Sequence, residues 1–185
     1  MLINLIVHHP EALAQIIANT PAWVWGLLAA LLWLGASQLF DRTAALRRVL
    51  LMPLAMTGFS VYGLASALAR SAQTGAAVGI WLITAVAVTT LALWMRPGAP
   101  AGARFDSATR RFYLPGSAVP LLLIVGIFVT KYVVGVELAL QPSLAADAAF
   151  AMQIAVLYGM FNGWFAARAL RLLRLVPRAA LQAAA

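Results

Sequence analysis

"RFDSATRRFYLPGSAVPLLLIVGIFVTKYVVGVELAL", residues 104–140, changes its preferred solvent halfway along. The first half carries Arg104, Asp106, Arg110 and Arg111 among aromatic residues. The second half, from about 117, is apolar except for a few polar residues, Lys131 and Glu137 among them. A bilayer-spanning helix needs roughly 20 predominantly apolar residues, and this half supplies them. Phe105, Phe112 and Tyr113 around "DSAT" predict a small two-stranded hairpin in the other half. Its arginines suit anionic headgroups.

Four further stretches have the same character: 21–40, 49–69, 75–95 and 145–168. Composition agrees, with 64% of the 185 residues hydrophobic and 10% charged. A soluble domain of this size has too large a surface-to-volume ratio to hide so much apolar area. The absence of cysteine excludes disulfides, zinc thiolate sites, iron–sulfur clusters and thiol catalysis. A net charge of +8 would suggest nucleic acid in a soluble protein. Here the cations sit between apolar segments, so they report membrane topology, and no nucleic-acid partner is expected.

With five spans, eleven arginines fall on one side: Arg42, Arg47 and Arg48, then Arg96, Arg104, Arg110 and Arg111, then Arg168, Arg171, Arg174 and Arg178. The other side receives Arg70 alone. Cytoplasmic loops are the basic ones, so the N-terminus is expected outside and the C-terminus inside. Residues 1–20 contain no Lys or Arg, hence no signal-peptide n-region. There is no cysteine to lipidate, and the first apolar stretch is expected to stay as an anchor.

The expected fold is therefore all-α: a polytopic membrane bundle of five transmembrane helices with a small cytoplasmic hairpin. Residues 1–20 form an outer segment, 21–175 the transmembrane domain and 176–185 a cytoplasmic tail. Leu13, Ile16 and Ile17 at helical spacing suggest a short interfacial helix within 10–19. Trp23, Trp25 and Trp94 fall near membrane interfaces, whereas Trp33, Trp81 and Trp164 fall deeper, where packing is their expected role. "RRVLLMP" at 47–53 and "RRFYLP" at 110–115 are either the mark of a duplicated hairpin or two uses of one cytoplasmic flank.

The stretch at 104–136, together with "TPAWVWGLLAALLWLG" (20–35) and "YGMFNGWFAARALRL" (158–172), resembles an uncharacterised family of small bacterial inner-membrane proteins. The basic loop, "PGS" and the following helix are also similar, more distantly, to CcdC-like membrane proteins. The resemblance implies a small multi-span protein of the bacterial inner membrane. It implies no activity and no catalytic residue.

Twelve arginines accompany a single lysine, Lys131. Counted from Gln141, it lies about ten residues deep, roughly 15 Å at 1.5 Å per residue. That is near the middle of a hydrocarbon core about 30 Å thick. Intramembrane charges normally face a bundle interior or a wet cavity, and lysine can shed its proton where arginine cannot. Either Lys131 is functional or its stem reaches water through helix tilt. The functional reading places it in an outward-facing polar pocket with Gln153, Tyr62 and Ser66, and with Glu137 and Arg70 at the mouth.

Ala151, Ala155, Gly159, Gly163 and Ala167 recur every four residues, with a short echo at Gly75 and Gly79. Small residues at this spacing let helix backbones approach closely. The seam serves packing within the chain, or else a homodimer or a membrane-protein partner. Asn162 beside it offers a hydrogen bond across. His8 and His9 are adjacent and share no helix face, so they read as a solvated terminus rather than a metal site. No phosphate loop, zinc motif, nucleophile elbow or carboxylate pair occurs, so neither cofactor nor catalysis is expected. Two functions remain: a non-enzymatic accessory protein that binds a membrane partner, or a small transporter or ligand-binding protein centred on Lys131. An open pocket reaching Lys131 favours the second, and a packed interior the first.

Overall fold

In hydrocarbon a backbone must satisfy its own N–H and C=O groups, so long apolar stretches become helices. The computed structural model describes residues 16–68 and 74–177. It contains α1 (Ala22–Ala36), α2 (Leu46–Ala67), α3 (Thr74–Met95), α4 (Val119–Leu140) and α5 (Ala148–Leu173), with three strands at one end. Those strands are β1 (Arg42–Ala45), β2 (Arg104–Asp106) and β3 (Arg111–Leu114).

Three helices, α3, α4 and α5, are long and apolar enough to cross a membrane. The expectation of five spans is not carried by these helices. α1 has 15 residues, a rise of about 22 Å against a hydrocarbon core of about 30 Å. Its start is held by Thr20 Oγ1 and Tyr132 OH, 2.6 Å apart. That contact lies eight residues, or about 12 Å, before the end of α4. α1 stops early because Ser37 Oγ donates to Leu34 O at 2.7 Å and Gln38 N donates to Gly35 O at 3.0 Å, turning the chain. The expected interfacial helix lies mostly outside the described residues; only a helical turn at 16–18 is seen.

α5 is the central helix. It buries 44% of its most apolar stretch inside the protein, whereas α3 and α4 bury 11% each. Asp147 caps it by accepting from Phe150 N at 2.7 Å. Ala151, Ala155 and Ala167 are all buried, and the adjacent seam closes on α3. A Cβ on Gly159 would fall 2.7 Å from Trp81 O, and one on Gly163 would fall 2.6 Å from Ala85 O. Thr89 Oγ1 donates to Ala85 O at 2.7 Å and sits 3.1 Å from Gly163 O, tying the two helices at the same point. The seam thus packs within the chain. Gly75 and Gly79 take no part, since a Cβ on either meets nothing within 4 Å. Asn162 Nδ2 donates to Tyr158 O on its own helix at 2.8 Å, not across the seam.

The fold is mostly helical rather than all-α. β2 and β3 form the expected hairpin, with Asp106 accepting from Ala108 N and Thr109 Oγ1 in the turn. The expected two strands are three, because β1 pairs antiparallel with β3, Ala44 opposite Phe112. β3 alternates strictly: Arg111 and Tyr113 face out, while Phe112 and Leu114 are buried against Ala44, Leu46, Leu172 and Val176. Phe105 pairs with Phe112 at 4.9 Å between ring centroids. The likeness of 47–53 to 110–115 has no structural counterpart, since the first segment is helical and the second is strand. Trp81 is buried and donates to Ser60 Oγ at 3.2 Å. Trp33 is 81% exposed and Trp164 42%, so neither is the packing residue expected from its depth.

A lateral groove as the candidate functional site

α1 crosses α4 closely at the arginine-rich end, where a Cβ on Gly35 would fall 2.5 Å from Leu121 Cδ1. Towards the other end the contact is the Thr20–Tyr132 hydrogen bond. The α1–α4 pair encloses a groove against α5 and the start of α2, about 1030 Å³ in volume. Its α1 wall is Val24, Leu27, Leu31 and Leu34, a stripe at helical spacing. Its α4 wall runs from Pro120 through Ile124, Phe128 and Lys131 to Leu140. Twenty residues of helix are about 30 Å long, the thickness of the hydrocarbon core.

The arginine-rich end of this groove is polar. Gln38, Arg42, Arg48 and Arg168 line it. Asp41 accepts from Tyr113 OH and from Gly116 N (2.9 Å), and Ser117 N donates to Gln38 O at 2.9 Å. A side chain at Gly116 would collide with the Leu39 carbonyl, so glycine lets this turn dock. The docked turn holds Gln38, which is 6% exposed, and its Oε1 accepts from Arg42 Nη2 at 2.6 Å. Burial and the Arg48 guanidinium both press the Arg42 pKa below its ordinary value. Arg168 feels Arg42 and Arg171 as like charges.

Lys131 turns inward. Its stem lines the groove, and its Nζ lies 4.7 Å from the centroid of the Tyr158 ring, a cation–π geometry. A Cβ on Gly63 would fall 2.5 Å from that Nζ. Tyr62, by contrast, is 70% exposed. Ser66 is exposed and donates to Gly63 O, and Gln153 is exposed. Glu137 is half-buried six residues beyond Lys131 on α4. Arg70, like His8 and His9, lies outside the described residues. Tyr158, Gly63, Ser60 and Asn162 are among the residues around Lys131.

Sequence reasoning assigned Arg42, Arg48 and Arg168 to topology alone. One signal did mark Arg168. It shares the spacing of Phe165, Ala169 and Leu172, an arginine on an otherwise apolar helical stripe.

The fold defines a helical protein with three helices apolar enough to cross a bilayer and a groove running along them. The chain belongs to a family of unknown function (DUF6622), whose model matches residues 1–182. This agrees with the resemblance to an uncharacterised family and gives nothing to the CcdC-like likeness. No curated protein and no solved structure matches the chain.

Proposed function

We propose that this protein is an integral membrane protein that binds an amphiphile in the groove between α1, α4 and α5. The setting proposed is a bacterial inner membrane, with the arginine-rich end towards the cytosol. The eleven-to-one distribution of arginines supports that orientation. The observation that carries the function is a groove of about 1030 Å³ with mainly apolar walls, whose α4 wall is about as long as the hydrocarbon core is thick. Binding sites for small apolar molecules run to about 1000 Å³. This groove also reaches the stem of Lys131, which favours ligand binding over a purely accessory role. The small-residue stripe gives a homodimer no support, because α3 already occupies it.

Gly135 lines the groove, and a Cβ there meets nothing within 4 Å. Gly135→Trp should therefore fill the groove without disturbing packing. The test is binding of a neutral fluorescent acyl alcohol to the full chain in mild detergent. Saturable binding to wild type that weakens about tenfold or more in Gly135→Trp is expected, the loss of about 1.4 kcal/mol. Equal binding by both would remove the groove from the account.

A further inference from the structure

The two ends of the groove differ in chemistry. Arg42, Arg48 and Arg168 converge at one end, and among the described residues no carboxylate pairs with any of them. The acidic groups nearby are engaged elsewhere: Asp41 with Tyr113 and Gly116, and Asp106 with Ala108 and Thr109. Other arginines of this end have structural work. Arg171 Nε donates to Gly98 O at 2.9 Å, and Arg174 Nη1 donates to Pro97 O at 2.6 Å, fastening the loop after α3. Among the described residues, the groove triad makes no hydrogen bond beyond the Arg42–Gln38 contact.

Positive potential is reinforced by α2. Its N-terminus has no side-chain cap and no acidic residue in its first turn, and it carries Arg47 and Arg48 there instead. Cations at that end oppose the helix dipole, and although Leu46 N donates to Arg110 O at 3.2 Å, the positive helix end and the arginines together favour an anion. Arg42 and Arg168 are half-buried and Arg48 is exposed beside them, and half-buried like charges without a counter-charge are unfavourable unless something supplies one.

Length identifies the form of that anion. From Pro120, just after the point where Ser117 N bonds Gln38 O beside Arg42, to Lys131 is eleven residues of α4, about 16 Å. One leaflet of the hydrocarbon core is about 15 Å deep, half of about 30 Å. Resting on the groove-binding reading above, the geometry points to a phospholipid of the adjoining leaflet as the occupant. Its anionic phosphate headgroup sits on Arg42, Arg48 and Arg168, and its acyl chain runs up the groove to the level of Lys131. Basic pockets between helices at the cytoplasmic face are suited to such headgroups.

The test uses the full chain in nanodiscs or mild detergent, with bound lipid read by native mass spectrometry. Phosphatidylglycerol competes with phosphatidylcholine of the same chain length, and the neutral acyl alcohol serves as the control probe. Wild type should retain the anionic lipid preferentially. Arg48→Gln, an exposed position, should lower that preference about fivefold, and the Arg42/Arg48/Arg168→Gln triple variant on the order of a hundredfold, at about fivefold per arginine. Both should still bind the neutral probe. Arg104→Gln, in the hairpin and outside the groove, should change neither. Unchanged anionic preference in Arg48→Gln and the triple variant, with the neutral probe still bound, would overturn the headgroup assignment while leaving the groove. Loss of all binding in wild type would remove both. Displacement of the lipid by inorganic phosphate as effectively as by phosphatidylglycerol would make free phosphate, not a lipid, the ligand.

Discussion

Gly163 and Gly79 both belong to small-residue spacings, yet their surroundings differ completely. At Gly163 a Cβ would press on Ala85 O and Val88, backbone and a branched side chain that cannot move aside. Gly163→Ala should cost about 1–3 kcal/mol by overpacking, whereas Gly79→Ala, facing open space, should be neutral or stabilise by about 0.4–1 kcal/mol. Thermal unfolding in detergent separates the two, and equal effects would contradict the seam. Gly63→Ala is an intermediate case. Its Cβ presses on the flexible end of Lys131 and meets Tyr158 Cε2 at 3.6 Å, an ordinary contact, so folding should survive while the ammonium leaves the Tyr158 ring, read from the Tyr158 ring resonances with that residue assigned by Tyr158→Phe. At this scale the inward turn of Lys131 was legible, because a mid-helix charge has nowhere better to go. Its neighbours were not. Tyr62 and Gly63 differ by one position, about 100° around the helix, and a sequence without phase information for α2 cannot choose between them.

At the scale of elements, the long helices were legible because apolar length and basic flanks mark them directly. α3 begins one residue from the expected 75 and ends at the expected 95. α1 ended early because Ser37 and the docked Gln38 turn stop it, although Leu39 and Phe40 continue the apolar run. β1 went unread for two reasons: four residues carry little alternation, and the partner strand lies some seventy positions away. The Thr20–Tyr132 contact should account for the position of α1. A double-mutant cycle of Thr20→Val and Tyr132→Phe is expected to give a coupling of about 0.5–1.5 kcal/mol; zero coupling would detach α1 from α4. The sheet carries its own pH dependence. Hydrogen bonds from Tyr113 and from Gly116 N hold the Asp41 pKa below the ordinary 3.8. The contribution of Asp41 is therefore full above 3.8 and lost as pH falls through the lowered folded value. The difference in strand amide exchange between wild type and Asp41→Asn should narrow over that window, and a difference that widens would reverse the sign.

For the molecule as a whole, charge placement and groove belong together. The arginines on which the proposed orientation rests gather where the turn at 37–41, β1, the start of α2 and the end of α5 meet. Three of them thereby come to line the groove. Net charge and its sidedness were visible in the linear chain; their convergence required the β1–β3 pairing and the docking of Gln38, neither of which leaves a sequence signature. Reporter tags on the two ends should read opposite compartments, with the C-terminus cytosolic. The same compartment for both would rule out an odd number of crossings, and opposite compartments with the N-terminus cytosolic would invert the assignment of the arginine-rich end. The most direct measurement is an experimental density map of the full chain in nanodiscs containing phosphatidylglycerol. Elongated density is expected between α1 and α4, ending in a compact feature against Arg42, Arg48 and Arg168. A groove closed by α1 packed onto α5, with no space for a chain, would contradict the account.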